Sequence, residues 1–485
     1  MKNILLFGAG KSATALIDYL LQEATVLDWM ITVADTNRSL IEQKLSGHSR
    51  GRAIVMDLQD EVTRKQLVAD ADLVISMMPP ALHMLVAKDC LHFGKSLLTA
   101  SYVDAAIREL DREAQEKGIL FLCEMGLDPG IDHMSAMKLI HEIQQKGGLI
   151  TSFKSHCGGL VAPESDDNPW HYKISWNPRN VVLAGKAGAI FREQGQTKEI
   201  SYAEMFRPSD TITISGVQPL SLSYYPNRNS LPYIDLYGLQ DATNFIRTTL
   251  RYPDFIKGWK VLMELQLTDE TPAYATDGMH LAEFFKQHFV KHGLEKKLDE
   301  IISRELAETR IELSALEEKI DKQPGMVTQP ELEEAANKIQ QKVNEANNLM
   351  DQLRFLGLQD TNTIINKGWC SAADVLQFML EQKLVLHETD KDMIVMLHEL
   401  EYELNGKKFQ TDSSLVVIGK DHLRTAMAKT VGLPLGIAAK LILTGALKQK
   451  GVMIPTLPEI YLPALSALEL HGVRFEETTS LMTAN

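Results

Sequence analysis

Asn3-Ile4-Leu5-Leu6-Phe7-Gly8-Ala9-Gly10-Lys11-Ser12-Ala13 is an apolar strand running straight into G-x-G-x-x-A. The two glycines let the backbone turn tightly and approach a pyrophosphate, and a small residue at Ala13 lets helix pack on strand. The helix that follows, Ala13 to Gln22, has Ala15, Leu16, Tyr19 and Leu20 as apolar positions. Its free N–H groups would face the phosphates. A second strand, Met30 to Ala34, ends in an acid, Asp35. Strand, glycine turn, helix, strand and acid in this order predict a dinucleotide site. A glycine-rich turn in another kind of α/β protein shares the loop but not the sequel.

Four more apolar strands follow: Ala53–Met56, Leu73–Met77, Ser96–Ala100 and Ile119–Cys123. Helical patterns separate most of them, and Gly94 and Gly118 lie where C-terminal caps belong. Near-continuous apolar strands alternating with helices predict a parallel, doubly wound α/β sheet covered on both faces. Functional residues then belong at the carboxyl edge, just after each strand. Those positions read Gly8–Ser12, Asp35, Asp57-Leu58, Met78-Pro79-Pro80, Ser101-Tyr102 and Gly126 to Gly130. Gly8, Ala9, Gly10, Lys11 and Ser12 are expected on the pyrophosphate. Asp57 and Leu58 are placed beside the adenine. Met77, Met78 and Pro79, with Ala100 and Ser101, are placed on the nicotinamide side. A carboxylate at Asp35 accepts from a ribose 2′-hydroxyl and repels a 2′-phosphate, which favours NAD over NADP; Arg38 could accommodate the phosphate instead.

From about residue 150 strand-like runs appear without regular helices between them: Ser152–His156, Val181–Ala184, Thr211–Ser215 and Leu220–Tyr225. They predict a mixed α/β second domain. From about 258 to 385 the pattern is helical. It contains two heptad runs, Ile302 to Ile320 and Leu332 to Leu353, with Pro324-Gly325 between them. They predict an antiparallel helical hairpin over 298–355, serving as a stabilising arm or oligomer contact. Strand signals return at Met393–Tyr402 and Ser414–Ile418. A helix from Ala426 to Ala446 is expected to be interrupted at Gly432-Leu433-Pro434.

At 485 residues the chain is too long for one core. Its net charge of −14 argues against non-specific nucleic-acid binding, so an anionic ligand has to be held by a few placed arginines. The four cysteines form no C-x-x-C pair, so neither a metal site nor a disulfide framework is expected. The first apolar run is broken at Gly8 and reads as a strand, and no apolar run of 18 residues is evident. The expectation is a cytoplasmic protein without membrane or nucleic-acid partners.

Several separate stretches, in order, resemble the L-glutamate-forming saccharopine dehydrogenase (saccharopine reductase) family. They are Ala100-Ser101-Tyr102, Gly126 to His133, Cys157-Gly158-Gly159-Leu160, Ser175 to Arg179, Tyr225 to Ser230, Thr249 to Tyr252 and Ala426 to Pro434. The resemblance implies a Rossmann domain over 1–130 and 420–485. It also implies a substrate domain over 131–258 and 386–419 and an all-helical insertion over 259–385. The implied reaction is saccharopine + NAD(P)⁺ + water ⇌ L-glutamate + 2-aminoadipate 6-semialdehyde + NAD(P)H, with an amino-acid substrate and a homodimer.

Arg228 and Arg251 are the leading substrate ligands, because a guanidinium fork binds carboxylates in pairs of hydrogen bonds. By composition alone they read as loop arginines in surface salt bridges; the motifs around them reverse that. Thr249 and Ser101 are candidate hydroxyl donors to the same ligand, with capping as the other reading. Asp128 reads either as a helix cap or as a contact to the substrate amine, and Tyr102 as packing or as the group orienting that amine. Cys157 reads as a buried small hydrophobe or a proton-handling thiol. Tyr102, Asp128 and Cys157 form the catalytic set. His133 reads as structural, and His156 as a group that could titrate. Two other readings remain open here: an amine dehydrogenase for lysine or carboxynorspermidine, and a non-catalytic dinucleotide sensor.

Overall fold

Seven parallel strands form the first sheet, in the spatial order 451–453, 120–122, 96–99, 73–76, 2–7, 29–35, 51–55. The computed structural model describes residues 1–207, 211–214, 220–304, 307, 314 and 328–482. The order reverses between the strands Lys2–Phe7 and Leu73–Ser76, which leaves a crevice at their carboxyl ends beside the glycine turn. Ile4, Leu5, Leu6, Val74, Ile75, Leu97, Leu98, Phe121 and Leu122 are fully buried, as strands covered on both faces require.

The seventh strand, Gly451–Met453, comes from the end of the chain and pairs with Leu120–Leu122. The helix before it, Ala426–Leu443, is continuous through Pro434. The expected interruption is absent. Gly432 and Gly436 set the helix against Thr14–Leu27: a Cβ on Gly432 would stand 2.7 Å from the Leu16 nitrogen, and one on Gly436 2.5 Å from the Tyr19 ring. These residues are spent on close helix contact rather than on a break. This helix is also long and apolar enough to cross a membrane by length and composition, with mean hydropathy 1.5, contrary to the expectation that no such apolar run exists. It is 67% buried inside the protein, where it packs as a core helix.

A ten-stranded mixed sheet forms the second layer. Its centre is Leu149–Val161, flanked by Asn244–Arg251 in parallel and Asp392–Leu404 antiparallel. Asp392–Leu404 continues into Lys407–Ile418 through Asn405-Gly406, both with positive φ (53° and 72°), the backbone of a tight hairpin turn. The edge strand Glu476–Leu481 pairs with Lys407–Ile418, so the segment 420–485 serves both sheets rather than the first alone. Val181 and Val182, expected in a strand, lie in a short helix, Pro178–Val182. Its cap is Asn177, whose side chain accepts from the Arg179 N–H, and Pro178 occupies the first turn.

A separate apolar core holds Trp170, Trp259, Phe284, Phe285 and the helix Ala372–Lys383. Of the expected heptad hairpin, the second run lies on the helix Gln329–Leu356; most of the first run and the intervening turn fall outside the described residues.

Candidate active site

The glycine loop fits a dinucleotide. Gly8 has φ +97°, and a Cβ there would come within 3.0 Å of the Met77 carbonyl oxygen. A Cβ on Gly10 would meet nothing within 4 Å, so the loop leaves open space at its second glycine. A short turn, Lys11–Ala13, leads into the helix Thr14–Leu27 without a side-chain cap, leaving its first N–H groups for a ligand. Asp35 accepts from the Ala9 N–H at 2.7 Å and from the Asn37 N–H at 3.0 Å, tying the acid to the loop. Arg38 is exposed and paired with Glu42 at 3.2 Å. Asp57 is exposed and accepts from the Gln59 N–H, while Leu58 is buried. Met77 and Met78 are half-buried and Pro79 is exposed at the same edge.

Ser101 is oriented by a residue that sequence reasoning missed. Its Oγ lies 2.7 Å from His83 Nε2, and His83 Nδ1 lies 2.9 Å from Ser76 Oγ. Burial lowers the His83 pKa to about 4, so the imidazole is neutral at pH 7 and fixes both hydroxyls.

Facing this edge is one side of the strand Asn244–Arg251. Residues alternate along a strand, so Phe245, Arg247, Thr249 and Arg251 share a face. Thr249 is in register with Cys157 on the neighbouring strand. His156, one residue earlier, points the other way. Its Nδ1 meets Thr248 Oγ1 at 2.7 Å and its Nε2 meets Glu399 Oε2 at 2.9 Å, so it belongs to the opposite face.

Arg247 is the hub of the site, and the motif search passed it over. It is buried and stacks over Tyr233 at 4.6 Å and Tyr102 at 5.6 Å. One terminal nitrogen donates to Asp128, to Asp132 Oδ2 at 2.7 Å and to Tyr102 Oη at 3.2 Å. The Tyr102 hydroxyl donates to Asp128 Oδ1 at 2.9 Å. A half-buried carboxylate, Asp128, and a buried one, Asp132, thus share one cation, and their environments divide them. Burial raises the Asp128 carboxyl above its ordinary range. Against the same burial, His133, Arg247 and the Gly130 N–H hold the Asp132 carboxyl below it. Asp128 is therefore the better proton carrier. Strand alternation back from Arg251 would have pointed to Arg247.

Behind Asp132 lies a second layer. His133 is fully buried, with Nε2 2.8 Å from Glu124 Oε2 and Nδ1 2.6 Å from the Tyr237 hydroxyl. Glu124 also accepts from the Tyr233 hydroxyl at 3.0 Å and the Val103 N–H at 3.0 Å. It adopts φ +54°, a left-handed conformation unusual for a buried non-glycine residue. Its place just past the sixth strand was the available signal.

The two arginines singled out from sequence differ from Arg247. Arg228 is exposed and lies over the Tyr102 ring at 5.2 Å. Arg251 is buried between the Tyr172 and Phe255 rings at 5.3 and 5.4 Å and donates to the Leu250 carbonyl at 2.8 Å; its Nε has no hydrogen-bond partner. Among the described residues neither makes an ion pair with a carboxylate. Lys11 of the glycine loop donates to the Ile174 carbonyl at 3.3 Å, joining the two walls two residues from Tyr172. Cys157 is buried, and burial pushes its thiol well above the ordinary range. It lines the pocket as a neutral group, and the proton-handling reading of it loses its basis.

Residues 4–122 match the model of the saccharopine dehydrogenase NADP binding domain, and residues 126–473 match that of the saccharopine dehydrogenase C-terminal domain. The chain belongs to the saccharopine dehydrogenase family. It is 33% identical over 482 residues to a saccharopine dehydrogenase [NADP(+), L-glutamate-forming] of Saccharomyces cerevisiae, covering 99% of both chains. It is 30% identical to an alpha-aminoadipic semialdehyde synthase of Arabidopsis thaliana, of which it spans 44%. A solved structure of apo saccharopine dehydrogenase (L-Glu forming) from Saccharomyces cerevisiae superposes with a TM-score of 0.79. That match covers 99% of this chain and 100% of that one at 30% identity. The Rossmann-type first domain and mixed second sheet are those of this saccharopine dehydrogenase family.

Proposed function

We propose that the protein is an L-glutamate-forming saccharopine dehydrogenase that prefers NAD. The observation that carries this reading is the pair of guanidiniums without carboxylate partners, Arg228 and Arg251, in a chain of net charge −14. A guanidinium without a carboxylate partner in so acidic a protein is suited to an anionic ligand. Arg251 lies four residues along one strand face from Arg247, about 13 Å. Arg247 and Arg228 both lie over the Tyr102 ring. The two guanidiniums without carboxylate partners therefore sit toward the two ends of an extended span, with Tyr102 and Asp128 between. That arrangement suits a long secondary amine with carboxylates at both ends.

In this reading Asp128 takes a proton from the substrate's secondary amine, and Arg247 fixes it in place. The bound nicotinamide supplies the hydride acceptor. Asp128 gives up that proton to solvent, Tyr102 orients the water that adds to the resulting imine carbon, and the same pair passes both protons of the water to the glutamate nitrogen as the carbon–nitrogen bond breaks and the aldehyde forms. Glu124, His133, Tyr233 and Tyr237 hold the floor of the site dry and rigid.

The preference for NAD rests on Asp35. Its two oxygens accept backbone N–H groups yet keep lone pairs for a ribose hydroxyl, and its charge repels a 2′-phosphate. The fungal relatives are named for NADP(+), so this chain is expected to differ from them. Dinucleotide reduction followed at 340 nm on adding saccharopine, with NAD and NADP compared, tests both parts. No reduction with either sinks the activity; higher kcat/KM with NADP sinks the preference.

A further inference from the structure

Lys44 lies in the last turn of the helix Arg38–Leu45, yet it is 9% exposed and its ammonium donates to the Gly10 carbonyl of the glycine loop. A charged side chain is rarely buried without a task. The helix C-terminus favours the cation there. Asp35 and Asp18 hold its proton on while burial pulls its pKa down to about 8, so it is charged at pH 7.

The stereochemistry of one peptide gives this contact a consequence. A trans peptide is planar, with its C=O and N–H pointing in opposite directions. Lys44 and the Ala13 N–H (3.0 Å) both hold the Gly10 carbonyl on the inner side of the loop. The N–H of Lys11, on the same peptide, is thereby turned to the side of the loop opposite Lys44.

We infer that Lys44 is a positioning residue for the dinucleotide: from beneath the loop it locks the Gly10–Lys11 peptide so that the Lys11 N–H is presented to the pyrophosphate. It also places a positive charge behind the loop, on the far side from the ligand. The inference deepens the cofactor reading above and rests on it. Sequence pattern gives no hint of it, because Lys44 looks like an ordinary solvated lysine near a helix end.

Direct titration of the purified protein with NAD and with ADP-ribose, by calorimetry, tests it. ADP-ribose carries the pyrophosphate without the nicotinamide. Lys44→Met is expected to weaken both ligands by about tenfold, the loss of one charge-assisted contact. Lys44→Arg should restore binding to within about threefold, and Lys44→Gln should lie between. The KM for NAD should rise by the factor lost in binding, with kcat at saturating NAD and the KM for saccharopine held. If Lys44→Met folds, by circular dichroism, and binds both ligands as the parent does, the inference is overturned. If Lys44→Met does not fold, Lys44→Gln decides it by the same titration. A parent protein that binds neither ligand overturns the cofactor reading and this inference together.

Discussion

Tyr102 donates its phenolic hydroxyl to Asp128 at 2.9 Å, and Arg247 reaches both from the facing sheet. Two residues that follow neighbouring strands of the first sheet, Ser96–Thr99 and Leu120–Leu122, are thus joined to a third from the second sheet. Hydrogen bonds thus tie the carboxyl edge of the first sheet to the second sheet.

Arg247→Met should be the most damaging single change in the site. It leaves buried Asp132 and half-buried Asp128 without their shared cation, which costs on the order of 3–5 kcal/mol. Scanning calorimetry should show a lower unfolding temperature, and turnover should fall with it. A variant as stable as the parent would show that the two carboxylates are neutral in the fold.

Asp128→Asn keeps the shape of the side chain and removes the proton acceptor. The expected result is a fall in kcat of about 10²–10³-fold with little change in the dissociation constant of the dinucleotide. Retention of more than a tenth of the parent kcat would remove Asp128 from the chemistry.

Arg228→Ala and Arg251→Ala should raise the KM for saccharopine by about tenfold or more each, with the larger effect at buried Arg251. The dinucleotide KM should hold. Steady-state kinetics at fixed, saturating dinucleotide measures this; an unchanged saccharopine KM in both variants would place the substrate elsewhere.

Asp35→Asn should narrow the gap between NAD and NADP, mainly by improving NADP, because it deletes the charge and keeps a hydrogen-bond acceptor for the Ala9 N–H. The ratio of kcat/KM values for the two dinucleotides is the readout, and a ratio that does not move would shift cofactor choice to Arg38 or another residue.

Acid should unfold the protein in a defined window. Burial lowers the pKa of His398 to about 4, so the folded state keeps it neutral while the unfolded chain protonates it near 6.5. Between pH 6.5 and 4 the unfolded state binds the extra proton. His398 therefore contributes no pH dependence above 6.5 and loses stability as pH falls through that window, on the order of 3 kcal/mol. His398→Phe, which keeps the stack against Phe475 (12°, 5.9 Å), should give a flatter stability profile than the parent from pH 6.5 to 4 in denaturant titrations. An equally steep profile in the variant would assign the acid sensitivity to other groups, His83 first among them.

The parallel, doubly wound character of the first sheet, its glycine loop and the residues at its carboxyl edge were legible in the sequence, because each depends on local rules; the strand Gly451–Met453 was not. Near-continuous apolar runs make buried parallel strands, and positions just after them line the crevice. Tyr102, Asp128 and Asp35 could be named on that basis, and Arg228 and Arg251 from motif resemblance. Arg247, Glu124, His83 and Lys44 could not. Each is a polar residue that looks like surface in one dimension. Each becomes buried only when a distant partner arrives: Asp128, 119 residues away in the chain for Arg247, or Gly10, 34 residues away for Lys44. The same is true of Gly432 and Pro434, which read as a helix break until Thr14–Leu27 is packed against them. Period and turn chemistry act over a few residues and are written in the chain. Burial, and with it which charges must find one another, is decided by long-range packing, and only the tertiary structure fixes it.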